Sequence, residues 1–381
     1  MVWLTERRVR LYCGLIILFY LCCWSAMLWF TCQPDNKRVC DFVQFWTAGK
    51  LANEGKLAAI YDFDTFIKEE QAVLGRYIDP IVFRYPPTLL LVVRGLAYLP
   101  YGFAYGLFAF CSVVAFTIVS YVIYPHSFVP WLVLACPIVY ENVSFGQNGL
   151  INGAIFGLSL HFLQKRPLLA GFFFGLLTYK VHLVWLVPFA LISGRHWKTL
   201  IVMVATALLM VLLSLLFLGQ SSWQAFAAIT GPNTFFQPVV SFADMVTPWG
   251  GVYLVTENVS LAWAVQLPLT LCAPVQIFWL WRQDVSFSLK AAVLLLLALI
   301  SSPYAFVYDL SLMGLALIFL VKEGVQEREE KYFILAWSFV FLSSLLAAAH
   351  SLPLAPLVVL AMTGLAWRRL LIAIIAGGTS S

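Results

Sequence analysis

The sequence predicts an all-α protein that crosses a membrane many times. Of its 381 residues, 62% are hydrophobic and 11% are charged, whereas soluble proteins carry about a quarter charged residues. The apolar residues form long runs, and in lipid a run of about 20 residues satisfies its backbone hydrogen bonds as a helix. These runs lack the alternation of β-barrel strands. We therefore predict one domain over residues 1–381, with roughly 11 membrane-spanning helices plus re-entrant or short helices.

The first membrane helix is predicted over Leu11–Thr31. Arg7, Arg8 and Arg10 precede it, and basic residues concentrate in cytoplasmic loops. The apolar stretch is also longer than the core of a signal peptide. We therefore expect a retained helix whose N-terminal end lies in the cytoplasm.

The longest polar region follows, over residues 32–85, and predicts a first outward loop with two amphipathic helices on the membrane surface. One helix is predicted after Asp41. The other is predicted over Asp64–Leu74, capped by Asp64 and ended by Gly75. Cys32 and Cys40 flank the start of this loop, and their spacing leaves open whether they form a disulfide.

The apolar segment Pro86–Pro100 is short and is interrupted by Arg94. If this segment does not cross the membrane, the later clusters of lysine and arginine all face the cytoplasm, whereas a crossing would place them all outside. We therefore predict a re-entrant or surface helix.

The segment Pro167–Ser193 divides into two short apolar pieces at Tyr179–His182. Broken helices in membranes usually surround a cavity, so we expect a polar chamber below the outer surface. A second outward loop is predicted over residues 219–258. The other predicted spans are Tyr101–Tyr124, Val129–Tyr140, Leu150–Phe162, Thr199–Leu218, Leu261–Leu280, Ala291–Ser302, Leu310–Val321, Tyr332–Ala349 and Leu352–Trp367.

Asp41 has two interpretations. An Asp before an apolar helix, with Gln44 three residues later, is typical of a helix N-cap. A carboxylate at the boundary between water and lipid can also accept a proton from a sugar or lipid hydroxyl. The residue types leave both interpretations open.

Cationic side chains on the outward side are candidates for binding an anionic phosphate. Lys180 lies between long apolar runs, where an unpaired cation costs several kcal/mol, although its chain can also extend to the interface. His182 is two residues away. Arg84 adjoins the outward Tyr-Pro-Pro turn and is a candidate for bidentate contact with phosphate oxygens, whereas Arg94 is expected to be an interfacial anchor.

Amide and aromatic side chains complete the candidate site. Gln147 and Asn148 lie at an outward helix junction and offer donors and acceptors that suit sugar hydroxyls, or they form an ordinary capped turn. Tyr308 and Asp309 lie on the same face, and Asp309 is also a candidate cap for the following helix. The sequence has no nucleotide phosphate loop, zinc-binding helix or Ser-His-Asp signature. We expect no cofactor, no metal and no nucleic-acid partner.

Together these motifs resemble glycosyltransferase family 87, a family of GT-C membrane transferases that includes bacterial polyprenyl-phosphate-mannose-dependent mannosyltransferases. The resemblance is carried by Asp41-Phe42, the aromatic-rich helix to Gly49, Tyr61-Asp62, Phe83-Arg84-Tyr85-Pro86-Pro87, Gly146-Gln147-Asn148, Lys180, Ser302-Pro303 and Tyr308-Asp309. It implies a GT-C-type bundle and a general base at Asp41. It further implies that donor phosphate binds near Lys180. The family often has Lys-Pro-Gln where this chain has Lys180-Val181-His182.

The resemblance and the residues together predict a hexosyltransferase of the bacterial inner (plasma) membrane, with its active site on the periplasmic or extracellular face. It would move a hexose, with mannose favoured, from a polyprenyl-phosphate donor to a lipid or glycan hydroxyl with inversion. Arg84, Tyr85, Gln147, Asn148, Lys180, His182, Tyr308 and Asp309 are the expected substrate-binding residues. A transporter or flippase for a lipid-linked substrate is the alternative, and a structural membrane subunit is a third possibility. The donor sugar, acceptor, linkage and oligomeric state stay open.

Overall fold

A computed structural model describes residues 6–31, 40–230, 242–324, 329, 335 and 353–378. Within these ranges the regular structure is helical, and the one β-type contact is an isolated antiparallel bridge between Met245 and Phe306. The α-helices are α1 (Glu6–Thr31), α2 (Phe42–Asn53), α3 (Phe63–Leu74), α4 (Pro87–Leu96), α5 (Tyr101–Ile123), α6 (Val129–Leu134), α7 (Pro137–Phe145), α8 (Gly149–Phe162), α9 (Pro167–Leu176), α10 (Val181–Val184), α11 (Val187–Ser193), α12 (Trp197–Ile229), α13 (Pro248–Thr256), α14 (Val259–Trp281), α15 (Phe287–Ser301), α16 (Ser311–Lys322) and α17 (Leu354–Gly378). Short 3-10 helices lie at Ala58–Ile60, Leu177–Lys180, Phe242–Asp244 and Val307–Leu310.

The helices confirm a membrane protein, but they do not confirm roughly 11 crossings. In the described part of the chain, six helical stretches are long and apolar enough to span a membrane: Glu6–Ala26, Tyr101–Ile123, Pro167–Val184, Trp197–Ile229, Val259–Trp281 and Leu354–Ile375. The helices α4, α8 and α15 are apolar but shorter. The span predicted at Tyr332–Ala349 lies outside the described residues.

The span predicted at Val129–Tyr140 is wrong as a single helix, because it breaks into α6 and α7. Cys136, which precedes Pro137, has extended backbone angles of φ −70° and ψ 129°. The ring of a proline clashes with a helical residue immediately before it, so the chain ends one helix and begins the next. The break allows α7 to end at the turn that carries Gln147 and Asn148.

The break predicted within Pro167–Ser193 is confirmed. Helix α9 ends at Leu176, and a 3-10 turn then leads to Lys180, whose backbone angles of φ −127° and ψ 57° are not helical. Helices α10 and α11 follow as separate short pieces. The non-helical backbone at Lys180 directs its side chain into the interior of the protein, where the side chain is buried.

Helix α12 changes direction at Gly219, which has backbone angles of φ 74° and ψ 167°. Glycine adopts this conformation without the steric cost that a Cβ atom adds. The residues after the kink return over the first loop, where the Phe226 ring lies 5.8 Å from that of Tyr61. Much of the described part of the predicted loop 219–258 is therefore helical, in the end of α12 and in α13.

The first loop is helical as predicted, but α2 is a buried helix rather than a surface helix. Nine of its 12 residues are buried. Helices α2 and α4 approach so closely that a Cβ atom on Gly49 would lie 2.4 Å from the carbonyl oxygen of Val93. The Trp46 indole N–H also donates to the Leu99 carbonyl oxygen at 3.0 Å. These contacts fix the start of α2, where Asp41 lies.

Helix α3 ends at Gly75 as predicted, in the left-handed conformation with φ 65°. The predicted cap at Asp64 is wrong, because the Asp62 carboxylate accepts the hydrogen bond from the Thr65 N–H. Asp62 has extended backbone angles, as an N-cap requires. Asp64 instead lies within the first turn, where an acidic side chain is favoured by the helix dipole.

The disulfide considered at the start of the first loop stays a prediction. Cys40 is described, with its Sγ atom 3.6 Å from the Tyr101 hydroxyl. Cys32 lies outside the described residues.

The interior of the bundle is centred on α15, in which 13 of 15 residues are buried. It packs against α14, α16 and α17. Helix α16 continues directly from the turn at residues 304–309, so this packing also fixes the position of that turn. The candidate functional residues lie where this buried bundle meets the first loop.

Candidate active site

A cavity of about 800 Å³ lies between the first loop, the α7–α8 turn, the broken segment at Lys180 and the turn at residues 304–309. Eight of the nine predicted site residues line it: Asp41, Arg84, Tyr85, Gln147, Lys180, His182, Tyr308 and Asp309. The ninth, Asn148, is buried behind the wall and contacts Lys180. Residues from five separate stretches of the sequence therefore meet in one place.

Asp41 holds the N-cap position of α2, but its side chain does not cap the helix. Its backbone angles of φ −62° and ψ −9° are helical, whereas a capping residue is extended. The carboxylate Oδ2 accepts a hydrogen bond from Gln147 Nε2 at 2.7 Å instead. The backbone of Asp41 is held by its N–H, which donates to the Phe145 carbonyl oxygen at 2.6 Å. The carboxylate is therefore available to the cavity.

Burial raises the pKa of Asp41 to about 6, and the carboxylate of Asp244 contributes in the same direction. The hydrogen bond from Gln147 lowers the pKa and only partly offsets burial. Helix N–H groups, which would lower this pKa, do not donate to the carboxylate. A carboxylate with a pKa near 6 is a stronger base than an ordinary aspartate and is still ionised at neutral pH.

The α7–α8 turn is packed tightly between α2 and the 304–309 turn. Gly146 has φ 66°, and a Cβ atom there would lie 2.9 Å from Cβ of Phe42. A Cβ atom on Gly149 would lie 2.0 Å from the carbonyl oxygen of Tyr308. The same carbonyl oxygen accepts a hydrogen bond from Asn142 Nδ2 at 3.0 Å. The glycines thus allow the two amide side chains between them to reach both sides of the cavity.

Lys180 forms a buried ion pair with Asp309. Its Nζ atom lies 2.6 Å from Asp309 Oδ1 and 3.1 Å from Asn148 Oδ1, and it lies 4.7 Å from the centre of the Tyr308 ring. The Lys180 side chain is 4% exposed and that of Asp309 is 0% exposed. The interpretation that Lys180 extends to the interface is therefore wrong. Pairing reduces the large cost of burying each charge alone.

Asp309 holds the cationic side of the cavity together. Its Oδ2 atom accepts the Phe306 N–H at 3.1 Å and lies 4.0 Å from His182 Nε2. The predicted cap of the following helix is wrong, since this hydrogen bond belongs to the 3-10 turn before α16. One carboxylate thus fixes the turn, pairs with Lys180 and lies near His182.

The two arginines occupy different places. Arg84 lines the cavity within hydrogen-bonding distance of Tyr304. Arg94 lies away from the cavity, where its Nε atom donates to Asn53 Oδ1 at 3.0 Å. The choice of Arg84 over Arg94 as the residue near the site agrees with this arrangement, and Arg94 joins α4 to α2.

Sequence reasoning assigned no role to Asp244 and did not identify the apolar wall that α12 contributes. Asp244 lines the cavity beside the bridge of Met245 and Phe306. The wall extends across both sides of the kink at Gly219 and comprises Ala207, Leu208, Val211, Trp223, Phe226 and Ile229. Gly219 was the available signal, because a glycine at the end of a long apolar run indicates a change of direction.

One protein-family model matches the chain. The model of glycosyltransferase family 87 matches residues 83–303, a region that includes Arg84, Tyr85, Gln147, Asn148, Lys180 and His182, whereas Asp41, Tyr308 and Asp309 lie outside it. No curated protein and no solved structure matched the chain. Because the matched region is more than half of the sequence and the helices are those of a membrane protein, the chain belongs to glycosyltransferase family 87 and is a membrane glycosyltransferase.

Proposed function

We propose that the protein transfers a hexose, with mannose favoured, from a polyprenyl-phosphate donor to a hydroxyl group of a lipid or glycan. The observation that carries this proposal is the composition of the cavity. A carboxylate with a pKa of about 6 lies on one wall, and Lys180, His182 and Arg84 line the same cavity. A base and an anion-binding group are the two components that such a transfer needs.

The reaction is a single displacement with inversion. Asp41 removes the proton from the acceptor hydroxyl as its oxygen attacks the anomeric carbon of the donor. The new glycosidic bond forms while the bond between that carbon and the phosphate oxygen breaks. The proton remains on Asp41 and then passes to solvent.

Cationic side chains stabilise the phosphate that leaves. Lys180, His182 and Arg84 supply hydrogen-bond donors and positive charge where negative charge develops. Asp309 has a supporting role. Its carboxylate would repel a phosphate, so it is not expected to bind one, but its ion pair holds Lys180 in place. The scheme requires no cofactor, since the charge of a monophosphate can be neutralised by these side chains.

The apolar wall of α12 suits the lipid part of the donor. Leu208 lines the cavity and is 63% exposed on the outside of the bundle. An apolar surface that continues from a polar cavity to the lipid-facing side allows a prenyl chain to stay in the membrane while its phosphate enters the site.

The proposed location is the bacterial inner (plasma) membrane, with the N-terminal end in the cytoplasm and the cavity open to the outer face. The arginines in the first turns of α1 and the basic residues between α8 and α9 support this orientation. A lipid-linked donor agrees with it, since nucleotide sugars are cytosolic.

Transfer of radiolabelled mannose from synthetic polyprenyl-phosphate mannose to a membrane lipid extract tests the proposal, followed by other polyprenyl-phosphate sugars. We expect product with the wild type and a loss of at least about 100-fold with Asp41→Asn, since general-base catalysis contributes about 10² to 10⁴. Equal thermal unfolding of the two proteins controls for folding. Full activity of Asp41→Asn would remove Asp41 as the base. Transbilayer movement of the lipid without a new glycosidic bond would favour a flippase.

A further inference from the structure

Gln147 is oriented by partners on both sides of its amide group. Its Nε2 atom donates to Asp41 Oδ2 at 2.7 Å, and its Oε1 atom lies 3.3 Å from the Tyr85 hydroxyl. The reverse orientation would set an amide oxygen against the Asp41 carboxylate. The side chain is 4% exposed, so most of its surface contacts the protein.

Tyr85 connects the amide of Gln147 to that of Asn148. Its hydroxyl lies 3.3 Å from Gln147 Oε1 and 3.4 Å from Asn148 Oδ1, so one hydrogen is shared between two acceptors. The ring is buried, with its centroid 5.4 Å from those of Phe45 and Phe83. Aromatic packing therefore fixes the hydroxyl between the two amides.

Asn148 completes the connection to the cationic side. Its Oδ1 atom accepts hydrogen bonds from Lys180 Nζ at 3.1 Å and from Asn152 Nδ2 at 2.9 Å. Lys180 in turn pairs with Asp309. A continuous series of side-chain hydrogen bonds thus joins Asp41 to Asp309 through Gln147, Tyr85, Asn148 and Lys180.

We infer that Gln147 is a positioning residue for Asp41, and that Tyr85 and Asn148 hold Gln147 in a fixed position relative to Lys180. Holding one carboxylate oxygen fixes the direction in which the other faces the cavity. The same bond stabilises the ionised carboxylate against its burial. The base and the anion-binding lysine are therefore oriented as one hydrogen-bonded unit. This inference rests on the proposed role of Asp41.

The pH dependence of kcat/KM in Gln147→Met separates this role from a merely structural one. Methionine keeps the length of the side chain but cannot donate to Asp41. We expect the acid limb to move to higher pH by about one pH unit, because a hydrogen bond to the charged form is lost. Activity should fall strongly near pH 6 and recover in part near pH 8. An acid limb that stays in place would overturn the inference.

Tyr85→Phe tests the connection between the two amides. It keeps the ring and its packing but removes the shared hydrogen, so we expect a smaller shift of the acid limb in the same direction. The double variant should shift no further than Gln147→Met alone, because both changes act through one hydrogen bond to Asp41. Additive shifts would contradict the proposed series of hydrogen bonds.

Gln266→Met is the matched control. Gln266 is also a buried amide, which accepts a hydrogen bond from the backbone N–H of Trp249 at 3.1 Å and donates to the Ile300 carbonyl oxygen at 2.9 Å. It does not line the cavity. We expect a lower unfolding temperature with an unmoved acid limb. A shift equal to that of Gln147→Met would mean that the loss of any buried amide has this effect.

A measurement without a donor distinguishes failure of this inference from failure of the proposed function. Infrared difference spectra recorded during a pH titration report the protonated carboxyl band of Asp41, which is identified by its absence in Asp41→Asn. The band should persist to higher pH in Gln147→Met than in the wild type, whether or not any donor is a substrate. An unchanged titration would overturn the inference even if transfer is observed.

Discussion

Asp41 fits the sequence pattern of a helix N-cap, but its side chain does not cap the helix. The pattern with Gln44 is typical of a capping box, but the backbone of Asp41 is helical and its carboxylate contacts Gln147 rather than the helix N–H groups. Its N–H is held by Phe145, from a helix about 100 residues later in the chain. A tertiary contact therefore decided the direction of this side chain.

The raised pKa of Asp41 gives the activity a defined pH dependence. The carboxylate must be ionised to act as a base, and burial sets its pKa at about 6. We expect kcat/KM to rise with pH through this value and to be lost as the pH falls below it. Initial rates measured with a saturating acceptor between pH 4.5 and 8 would check this. A midpoint near 4, the value of an exposed Asp, would contradict burial of the ionised base.

The Lys180–Asp309 pair allows stability and activity to be separated. Because both side chains are buried, removal of one leaves an uncompensated charge, and we expect Lys180→Met or Asp309→Leu to lower the free energy of unfolding by about 3–5 kcal/mol. The double variant should recover much of this stability while remaining inactive. Thermal unfolding and transfer assays on the three variants would check this, and an active double variant would exclude a role of Lys180 in the reaction.

At the scale of elements, breaks between helices form the site more than the helices themselves do. The break before Pro137 places the α7–α8 turn, the non-helical Lys180 follows α9, and Gly219 redirects the end of α12. Only the break near Lys180 was predicted, from an apolar run interrupted by a charge. The break before Pro137 was missed, although the proline was a signal for it. The change of direction at Gly219 was predicted only as the start of a loop, so the contribution of the end of α12 to the cavity was not predicted.

Gly149 is the position where two of these elements approach most closely. A Cβ atom there would overlap the Tyr308 carbonyl oxygen at 2.0 Å, and backbone cannot move aside as a side chain can. We expect Gly149→Ala to lower stability by about 1–3 kcal/mol and to reduce transfer by moving Tyr308 and Asp309. Thermal unfolding and kcat/KM would be measured together.

Gly106→Ala is the control for this substitution. Gly106 lies within α5, where a Cβ atom would have no neighbouring atom within 4 Å, and alanine favours a helix over glycine by about 1 kcal/mol. We expect unchanged or higher stability and normal activity. If both variants behaved alike, close packing at Gly149 would not be the cause.

For the whole molecule, the distribution of charge supports the proposed orientation in the membrane. The first loop carries Lys56 on its surface, and Lys165 is exposed between α8 and α9. The proposed topology assigns these two positions to opposite faces, because basic residues after α8 are expected in the cytoplasm.

Labelling of single cysteines checks this orientation. In intact spheroplasts, a membrane-impermeant maleimide should label Lys56→Cys strongly and Lys165→Cys only after permeabilisation, each compared with the parent protein that retains its native cysteines. Both residues are exposed, so failure to label reflects sidedness rather than burial. The reverse pattern would invert the topology and place the first loop in the cytoplasm.

The sequence by itself determined the class of protein, the family, the break near Lys180 and the set of candidate residues that meet at one cavity. Hydropathy and charge suffice for these features because the lipid environment acts on each segment separately. Only the tertiary structure decided which residues contact each other: Asp41 with Gln147, and Lys180 with Asp309. It also decided that the kinked end of α12 lines the cavity. These pairs are distant in the chain, and their geometry depends on backbone angles and packing that a linear pattern does not contain.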